Sequence, residues 1–170
     1  MSSVGRARPL FALRLCAPVE ADLQAQAAEV ARNGAGIRVI HLEGELGTGK
    51  TSWARAYLRA RGIEGPVRSP TFTLVETYLT REGAIYHLDL YRLADPEEIE
   101  YLGLRDLASE DTGTLLIEWP ERAAGRLPSP ELRVLIDPAS RGRTVQYEFA
   151  DRDDFERLRR SLEFSKSNEI

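Results

Sequence analysis

The sequence has one cysteine, two histidines and no excess of positive charge over its 170 residues. The lone cysteine, Cys16, excludes an intramolecular disulfide framework and fits a reducing cytoplasm. We expect it to be a buried strand residue. The formal net charge of −4 argues against a protein that coats nucleic acid through a broad basic face, but a local basic patch stays open.

Long apolar runs are also missing. The apolar stretch at residues 9–13 is interrupted by Arg14 after five residues, whereas a secretory signal needs about 7–15. No run approaches the roughly 18 residues of a membrane helix. We therefore expect a soluble, cytoplasmic protein with no membrane contact. Its length predicts a single domain over residues 1–164 and a disordered tail over 165–170.

The sequence does contain a phosphate-binding loop. Residues 44–51, Gly-Glu-Leu-Gly-Thr-Gly-Lys-Thr, match the pattern G-x-x-x-x-G-K-[ST]. In this pattern backbone N–H groups surround phosphate oxygens, the lysine reaches the β- and γ-phosphates, and the last hydroxyl ligates Mg²⁺. A strand predicted over 37–42 and a helix predicted over 50–61 supply the context that such a loop requires. The alternative is an ordinary glycine turn between a strand and a helix.

The order of the other elements predicts an α/β fold: a P-loop NTPase-like three-layer sandwich with a mixed, mainly parallel sheet and antiparallel hairpins. The sheet must be mixed because the strands predicted over 71–78 and 84–90 are joined by a turn too short for a parallel crossover. Asp95 and Pro96 predict the start of another helix. Further strands are predicted over 10–16, 114–119, 131–137 and 143–149, and further helices over 18–32 and 151–162.

Hydrolysis of a nucleotide also requires a carboxylate near Mg²⁺ and a group that orients water. Asp89 and Glu118 are the candidates, because each ends a predicted strand, where ligands bind in open α/β sheets. Strand alternation places Asp89 on the same face as His87. Simpler interpretations stay open: a solvated Asp89 paired with Arg92, a Glu118 that caps the following turn, and a His87 with a purely structural hydrogen bond.

Five segments taken together resemble the bacterial TsaE (YjeE) ATPase family. They are GELGTGKT (44–51), SPTFTLVETY (69–78), YHLDLYRLADPEE (86–98), YLGLRD (101–106) and LLIEWPER (115–122). The resemblance implies an ATPase that is slow alone and acts in forming threonylcarbamoyladenosine at position 37 of tRNAs reading ANN codons. It also implies two partner proteins, TsaD, which transfers the threonylcarbamoyl group, and TsaB, with tRNA contacted indirectly through the complex.

The same resemblance implies roles for single residues. Thr51 and Glu118 would ligate Mg²⁺, and Asp89 would be the carboxylate required for hydrolysis, as the water-orienting group. Thr71, together with Thr73, would act as a nucleotide-sensing catalytic switch. The ATP phosphates would be held by Leu46, Gly47, Thr48, Gly49, Lys50 and Thr51, of which Lys50 would also be catalytic.

The family places the nucleotide base between the first helix, predicted here over 18–32, and the late hairpin, formed here by the strands predicted over 131–137 and 143–149. This position corresponds here to Glu20 and Gly142, which we expect to contact ATP. Trp119 and a surface formed by His87, Tyr91 and Arg92 would support the site or the partner contact.

Three other functions share such a loop. A small-molecule kinase needs a lid over its acceptor. The segment after the helix predicted over 50–61 is predicted to form a hairpin and a short acidic helix, with no evident lid. Guanine-specific GTPases generally carry Asn-Lys-x-Asp, and neither Asn33 nor Asn168 precedes a lysine. A nucleotide-binding scaffold without turnover is the third alternative, against which Asp89 and Glu118 argue.

Overall fold

The protein folds around a seven-stranded mixed β-sheet in this computed structural model, which describes residues 11–68, 70, 73–109 and 113–164. The strands are β1 (Phe11–Ala17), β2 (Val39–Glu43), β3 (Val75–Thr80), β4 (Gly83–Asp89), β5 (Thr114–Glu118), β6 (Leu132–Pro138) and β7 (Arg143–Phe149). The α-helices are α1 (Glu20–Asn33), α2 (Lys50–Ala60), α3 (Leu104–Ser109) and α4 (Arg152–Phe164). Two 3₁₀ helices span Pro96–Leu102 and Pro120–Ala123.

The strand order is β1-β7-β6-β2-β5-β4-β3. The central strands β6, β2, β5 and β4 are parallel neighbours, whereas β1–β7, β6–β7 and β3–β4 are antiparallel pairs. Since β1 and β6 both oppose β7, only β7 and β3 run against the common direction of the described strands. The predicted mixed, mainly parallel sheet and its antiparallel hairpins are confirmed.

Helices cover both faces of the sheet and give the predicted three layers. On one face α1, α2 and α4 bury a core that includes Ile40, Leu42 and Leu116. On the other face the first 3₁₀ helix and α3 pack against Val39 and Ile117. The division follows from strand geometry, because successive side chains of β2 point to opposite faces. In the described part of the chain, no helix combines the length and the apolar character needed to cross a membrane.

The segment after Asp95 differs from the predicted single helix. The Asp95 carboxylate accepts a hydrogen bond from the Glu97 N–H at 2.8 Å, as a cap should. The helix that follows is a 3₁₀ helix, and α3 begins separately at Leu104. Ile99 and Leu104 are nevertheless buried. The predicted strand over 71–78 begins only at Val75, and the tail over 165–170 lies outside the described residues.

Cys16 is exposed, so the prediction that it is a buried strand residue is wrong. It lies on β1 between Leu15 and Ala17, which are buried against the helical layer. The alternate face of β1 carries Ala12 and Arg14, both exposed. The sequence of β1 predicts that its side chains alternate between the two faces of the sheet. It does not reveal that helices cover only one of these faces at this edge strand.

Candidate nucleotide-binding site

The phosphate loop joins β2 to α2 at the carboxyl edge of the parallel strands. At its start Gly44 has φ of 143°, a conformation that other residues rarely adopt. A Cβ atom on Gly44 would lie 2.3 Å from the Ile136 carbonyl oxygen, so the loop approaches β6 too closely for any side chain. The glycine of the sequence pattern is therefore required here by packing.

Lys50 lies at the centre of this loop. Its Nζ donates hydrogen bonds to the carbonyl oxygens of Gly44 and Glu45, both at 2.7 Å, and lies 3.8 Å from the centroid of the Trp119 ring. Burial lowers the pKa of Lys50 from its ordinary value. Three nearby carboxylates oppose this shift: Glu118, Glu121 and Asp89. The ammonium group thus lies in an enclosed position beside several acidic groups.

A chain of hydrogen bonds runs from the loop helix into the sheet. Thr51 Oγ1 donates to Glu118 Oε2 at 2.9 Å, and Glu118 Oε1 lies 2.8 Å from His87 Nε2. A carboxylate can only accept, so Nε2 carries the hydrogen. Glu118 and His87 are both buried, so the expected surface formed by His87, Tyr91 and Arg92 does not include His87. Glu118 therefore bonds to the loop and to β4, and it does not cap the following turn.

Asp89 lies beside this chain. It is the register partner of Glu118 in the parallel pair β4–β5, and its Oδ1 accepts a hydrogen bond from the Tyr91 N–H at 3.1 Å. It is only 5% exposed, so it is not a solvated strand residue. The sheet thus brings two acidic residues to the edge that carries the phosphate loop.

The oxygen atoms of Thr51 and Glu118 fit a magnesium ion. Adjacent ligands of an octahedral Mg²⁺ at 2.0–2.1 Å lie about 3 Å apart, and Thr51 Oγ1 and Glu118 Oε2 are separated by 2.9 Å. Within the described residues, no group of three or more His, Cys, Asp or Glu side chains could hold a metal. Magnesium does not need such a group, because it usually binds one or two protein oxygens together with substrate phosphates and water.

A cavity of about 360 Å³ lies between the loop and the ends of β4 and β5. This volume is within the range of about 300–1,000 Å³ found for small-molecule sites. Thr48 lies outside the lining; it is buried, and its Oγ1 donates to the Glu45 carbonyl oxygen at 2.9 Å. The predicted site residues on the cavity wall are Leu46, Gly47, Gly49, Lys50, Thr51, Asp89 and Glu118.

Glu20 and Gly142 lie outside the lining of this cavity. Glu20 Oε1 accepts a hydrogen bond at 2.6 Å from the hydroxyl of Ser52, the residue after Thr51. A Cβ atom on Gly142 would lie 2.3 Å from the Ala17 carbonyl oxygen, so the β6–β7 turn rests on the chain that enters α1. The turn of this hairpin therefore contacts the residues just before α1, and the predicted base position between Glu20 and Gly142 stays a prediction.

Sequence reasoning missed Arg143. Its Nε donates to the carbonyl oxygen of Thr48 and so ties the β6–β7 hairpin to the phosphate loop. In the sequence, Arg143 is marked only by its position directly after Gly142. Its contact with Thr48 joins residues far apart along the chain, so no local pattern predicts it. Thr71 lies outside the described residues. Thr73 is exposed, and its hydroxyl donates to Glu76 at 3.1 Å.

Trp119 closes one side of the cavity. It directly follows Glu118 and has φ of 58°, an unusual conformation for a bulky residue. Its ring packs against the Tyr91 ring, with 4.9 Å between the two centroids. The guanidinium carbon of Arg122 lies 5.5 Å from the centroid of the Tyr91 ring. The turn after β5 is thus shaped so that the Trp119 ring covers the ammonium group of Lys50.

The sheet, the loop and the two layers of helices define the class of this molecule: an α/β protein with a P-loop NTPase-like fold. Within this class, the chain belongs to the TsaE family. The model of the family "Threonylcarbamoyl adenosine biosynthesis protein TsaE" matches residues 17–145. The resemblance expected from the five sequence segments is confirmed.

Individual relatives agree with this assignment. A Haemophilus influenzae protein named "tRNA threonylcarbamoyladenosine biosynthesis protein TsaE" is 46% identical over 108 residues, which are 64% of this chain and 68% of that protein. A protein of the same name from Aquifex aeolicus is 42% identical over 105 residues, 61% of this chain and 73% of the relative. The crystal structure of Bacillus subtilis YdiB superposes with a TM-score of 0.64 at 26% identity, covering 92% of this chain and 95% of YdiB.

Proposed function

We propose that this protein hydrolyses ATP with Mg²⁺ during threonylcarbamoyladenosine formation at position 37 of tRNAs reading ANN codons. The observation that carries the proposal is the chain Thr51–Glu118–His87 beside Asp89, at the mouth of the phosphate loop. Family membership supports the pathway. The residues of the site support a reaction of the nucleotide, since a scaffold that only binds ATP has no need of two buried acids at this edge.

Each group has a distinct part in the proposed reaction. The loop amides and Lys50 bind the β- and γ-phosphates, for which Lys50 exchanges its two carbonyl partners for phosphate oxygens. Thr51 and Glu118 hold Mg²⁺, which neutralises charge on the phosphate oxygens. Asp89 accepts a hydrogen bond from the attacking water and aligns it with the γ-phosphate. Glu20 and the turn at Gly142 lie on the side where the base of ATP is proposed to bind.

The proposed turnover of the isolated chain is slow. The cavity is open to solvent, and Leu46 at the tip of the loop is 71% exposed. Water around the γ-phosphate weakens the electrostatic stabilisation of the transition state. A partner that covers this opening would remove the water and order the site. TsaD and TsaB are the proposed partners, and tRNA is reached indirectly through their complex.

Reconstitution tests this function. ADP release is measured for the purified chain with ATP and Mg²⁺, first alone and then with TsaB and TsaD. The threonylcarbamoyladenosine content of unmodified tRNA, supplied with threonylcarbamoyl-adenylate, is measured in parallel by mass spectrometry. We expect slow ADP release that rises with the partners, and modification that depends on this chain and on ATP.

The matched control is Lys50→Ala, which removes the ammonium group and should abolish both signals. An ADP release rate that the partners do not change would contradict the proposal. A small acceptor phosphorylated as fast as ADP appears would instead identify a kinase.

A further inference from the structure

The chain contains two histidines, and both are buried in the sheet. His87 lies on β4 with no exposed surface, and its Nε2 bonds to Glu118. Its other ring nitrogen, Nδ1, has no hydrogen-bond partner among the residues that the structure describes. Burying an unpaired polar atom is unfavourable, and an apolar side chain of similar size would avoid that cost. Stability alone therefore does not explain a histidine at this position.

Strand association does not explain it either. The parallel pair β4–β5 is already joined by a backbone ladder in which five residues, from Ile85 to Asp89, have register partners. The side-chain bond from His87 crosses the same pair of strands and adds no new connection between elements. Its specific effect is on Glu118, the acid that ends β5.

The two oxygens of Glu118 have different partners. Oε2 accepts from Thr51, and Oε1 accepts from His87. When Thr51 and Oε2 turn to a metal ion, the bond to His87 is what continues to fix the rotation of the carboxylate. Partners of this kind, one step behind the ligands, set ligand orientation in many metal sites.

Building on the proposed function, we propose that His87 is a positioning residue for the metal site: its Nε2–H holds Glu118 so that Oε2 faces the bound ion. His87 itself touches neither the metal nor the nucleotide. His87 raises the affinity of the site for the divalent cation and does not change the affinity of the loop for the phosphates.

Three substitutions separate this role from a structural one. His87→Gln places an amide N–H about where Nε2 lies and keeps the donor. His87→Asn is equally polar but one methylene shorter, so its amide cannot reach Glu118. His87→Leu removes the donor altogether. His41→Leu is the matched control, because His41 is also buried, lies on β2 and has an unpaired Nε2 among the described residues, but points to the opposite face of the sheet.

The experiment measures Mn²⁺ binding by electron paramagnetic resonance in the presence of ADP, and ADP binding in EDTA with a fluorescent analogue. Thermal unfolding monitors folding. We expect His87→Leu and His87→Asn to weaken Mn²⁺ binding by roughly 10- to 100-fold, with metal-free ADP affinity unchanged. His87→Gln and His41→Leu should stay within a few-fold of the native protein.

The outcomes that overturn the idea are separate from those that overturn the proposed function. Equal Mn²⁺ affinity for the Gln and Asn variants, both folded, would refute the positioning role while leaving the ATPase proposal intact. A parallel loss of metal-free ADP binding in the Asn variant would refute it too, because the role would then be architectural. If the native chain bound no Mn²⁺ with ADP, both proposals would fail.

Discussion

Asp89 and Glu118 stand side by side in register, each as the last residue of its strand. This neighbourhood exists because β4 and β5 run parallel, which brings their carboxyl ends to one edge. Glu118 is tied to Thr51 and His87, whereas Asp89 accepts a hydrogen bond from the Tyr91 N–H. The two acids therefore have separate anchors and can have separate roles.

The first prediction concerns the chemistry of Asp89. Replacing it by asparagine keeps an oxygen that accepts from the Tyr91 N–H but removes the charge that attracts the water proton. We expect ATP hydrolysis to fall by about 100-fold or more, while ATP affinity changes by no more than a few-fold. Lys50→Ala serves as the contrasting variant, with binding itself lost. ADP release and equilibrium binding of a fluorescent ATP analogue measure the two effects.

A loss of ATP binding in Asp89→Asn would show that the carboxylate supports the shape of the site and takes no part in the chemical step. Circular dichroism of the variant checks that the sheet is intact.

The second prediction concerns the contact between the β6–β7 turn and the start of α1. Gly142 has φ of 71°, and a Cβ there would lie 2.3 Å from the Ala17 oxygen and 2.4 Å from the Pro18 oxygen. We expect Gly142→Ala to lower the free energy of unfolding by about 2–4 kcal/mol, since backbone atoms must move apart. Urea unfolding measures the change.

Gly125→Ala is the control for that measurement. Gly125 has a similar φ of 81°, but no described atom lies within 4 Å of the added Cβ. The Gly125→Ala substitution should lower the free energy of unfolding by only about 1 kcal/mol, the penalty of a left-handed conformation. Equal losses for the two variants would mean that the close approach of the hairpin to α1 is not tight.

The third prediction concerns pH. Burial, with a smaller contribution from the charge of Arg133, lowers the pKa of His41 from 6.5 to about 4, against an opposing hydrogen bond with the Pro128 carbonyl. Below pH 6.5 the unfolded chain therefore binds a proton that the folded chain rejects until about pH 4. The contribution of neutral His41 to the free energy of unfolding is complete above pH 6.5. It is lost on acidification, by about 3 kcal/mol between pH 7 and pH 4.

His41→Gln removes this titration. Unfolding free energies from urea titrations at pH 7, 5.5 and 4 should fall less steeply for the variant than for the native protein, by about 3 kcal/mol over the range. Carboxyl groups titrate in both proteins and cancel in the comparison. Parallel curves would show that His41 does not set the acid sensitivity.

The sequence allowed the loop, the strands beside it and the two acids to be predicted, because each depends on a local pattern. Gly44 to Thr51 carries a spaced motif, and Asp89 and Glu118 mark the ends of apolar runs. The face shared by His87 and Asp89 also followed from strand alternation. These predictions needed no knowledge of which strands become neighbours.

What escaped prediction depends on strand order. The contact between His87 and Glu118 requires that β4 lies beside β5, and the bond from Arg143 to Thr48 requires that the last hairpin folds over the loop. The exposure of Cys16 similarly depends on β1 being an edge strand. No local pattern carries this information, because each contact joins segments far apart along the chain.

The pairing of β1 with β7 has a consequence for how the protein is made. Residues 11–17 are synthesised well before their hydrogen-bonding partner, residues 143–149. Until then β1 has no ladder to join, and the growing polypeptide exposes an unpaired apolar segment to chaperones and to other nascent chains. Completion of the sheet thus waits until residues 143–149 have been synthesised.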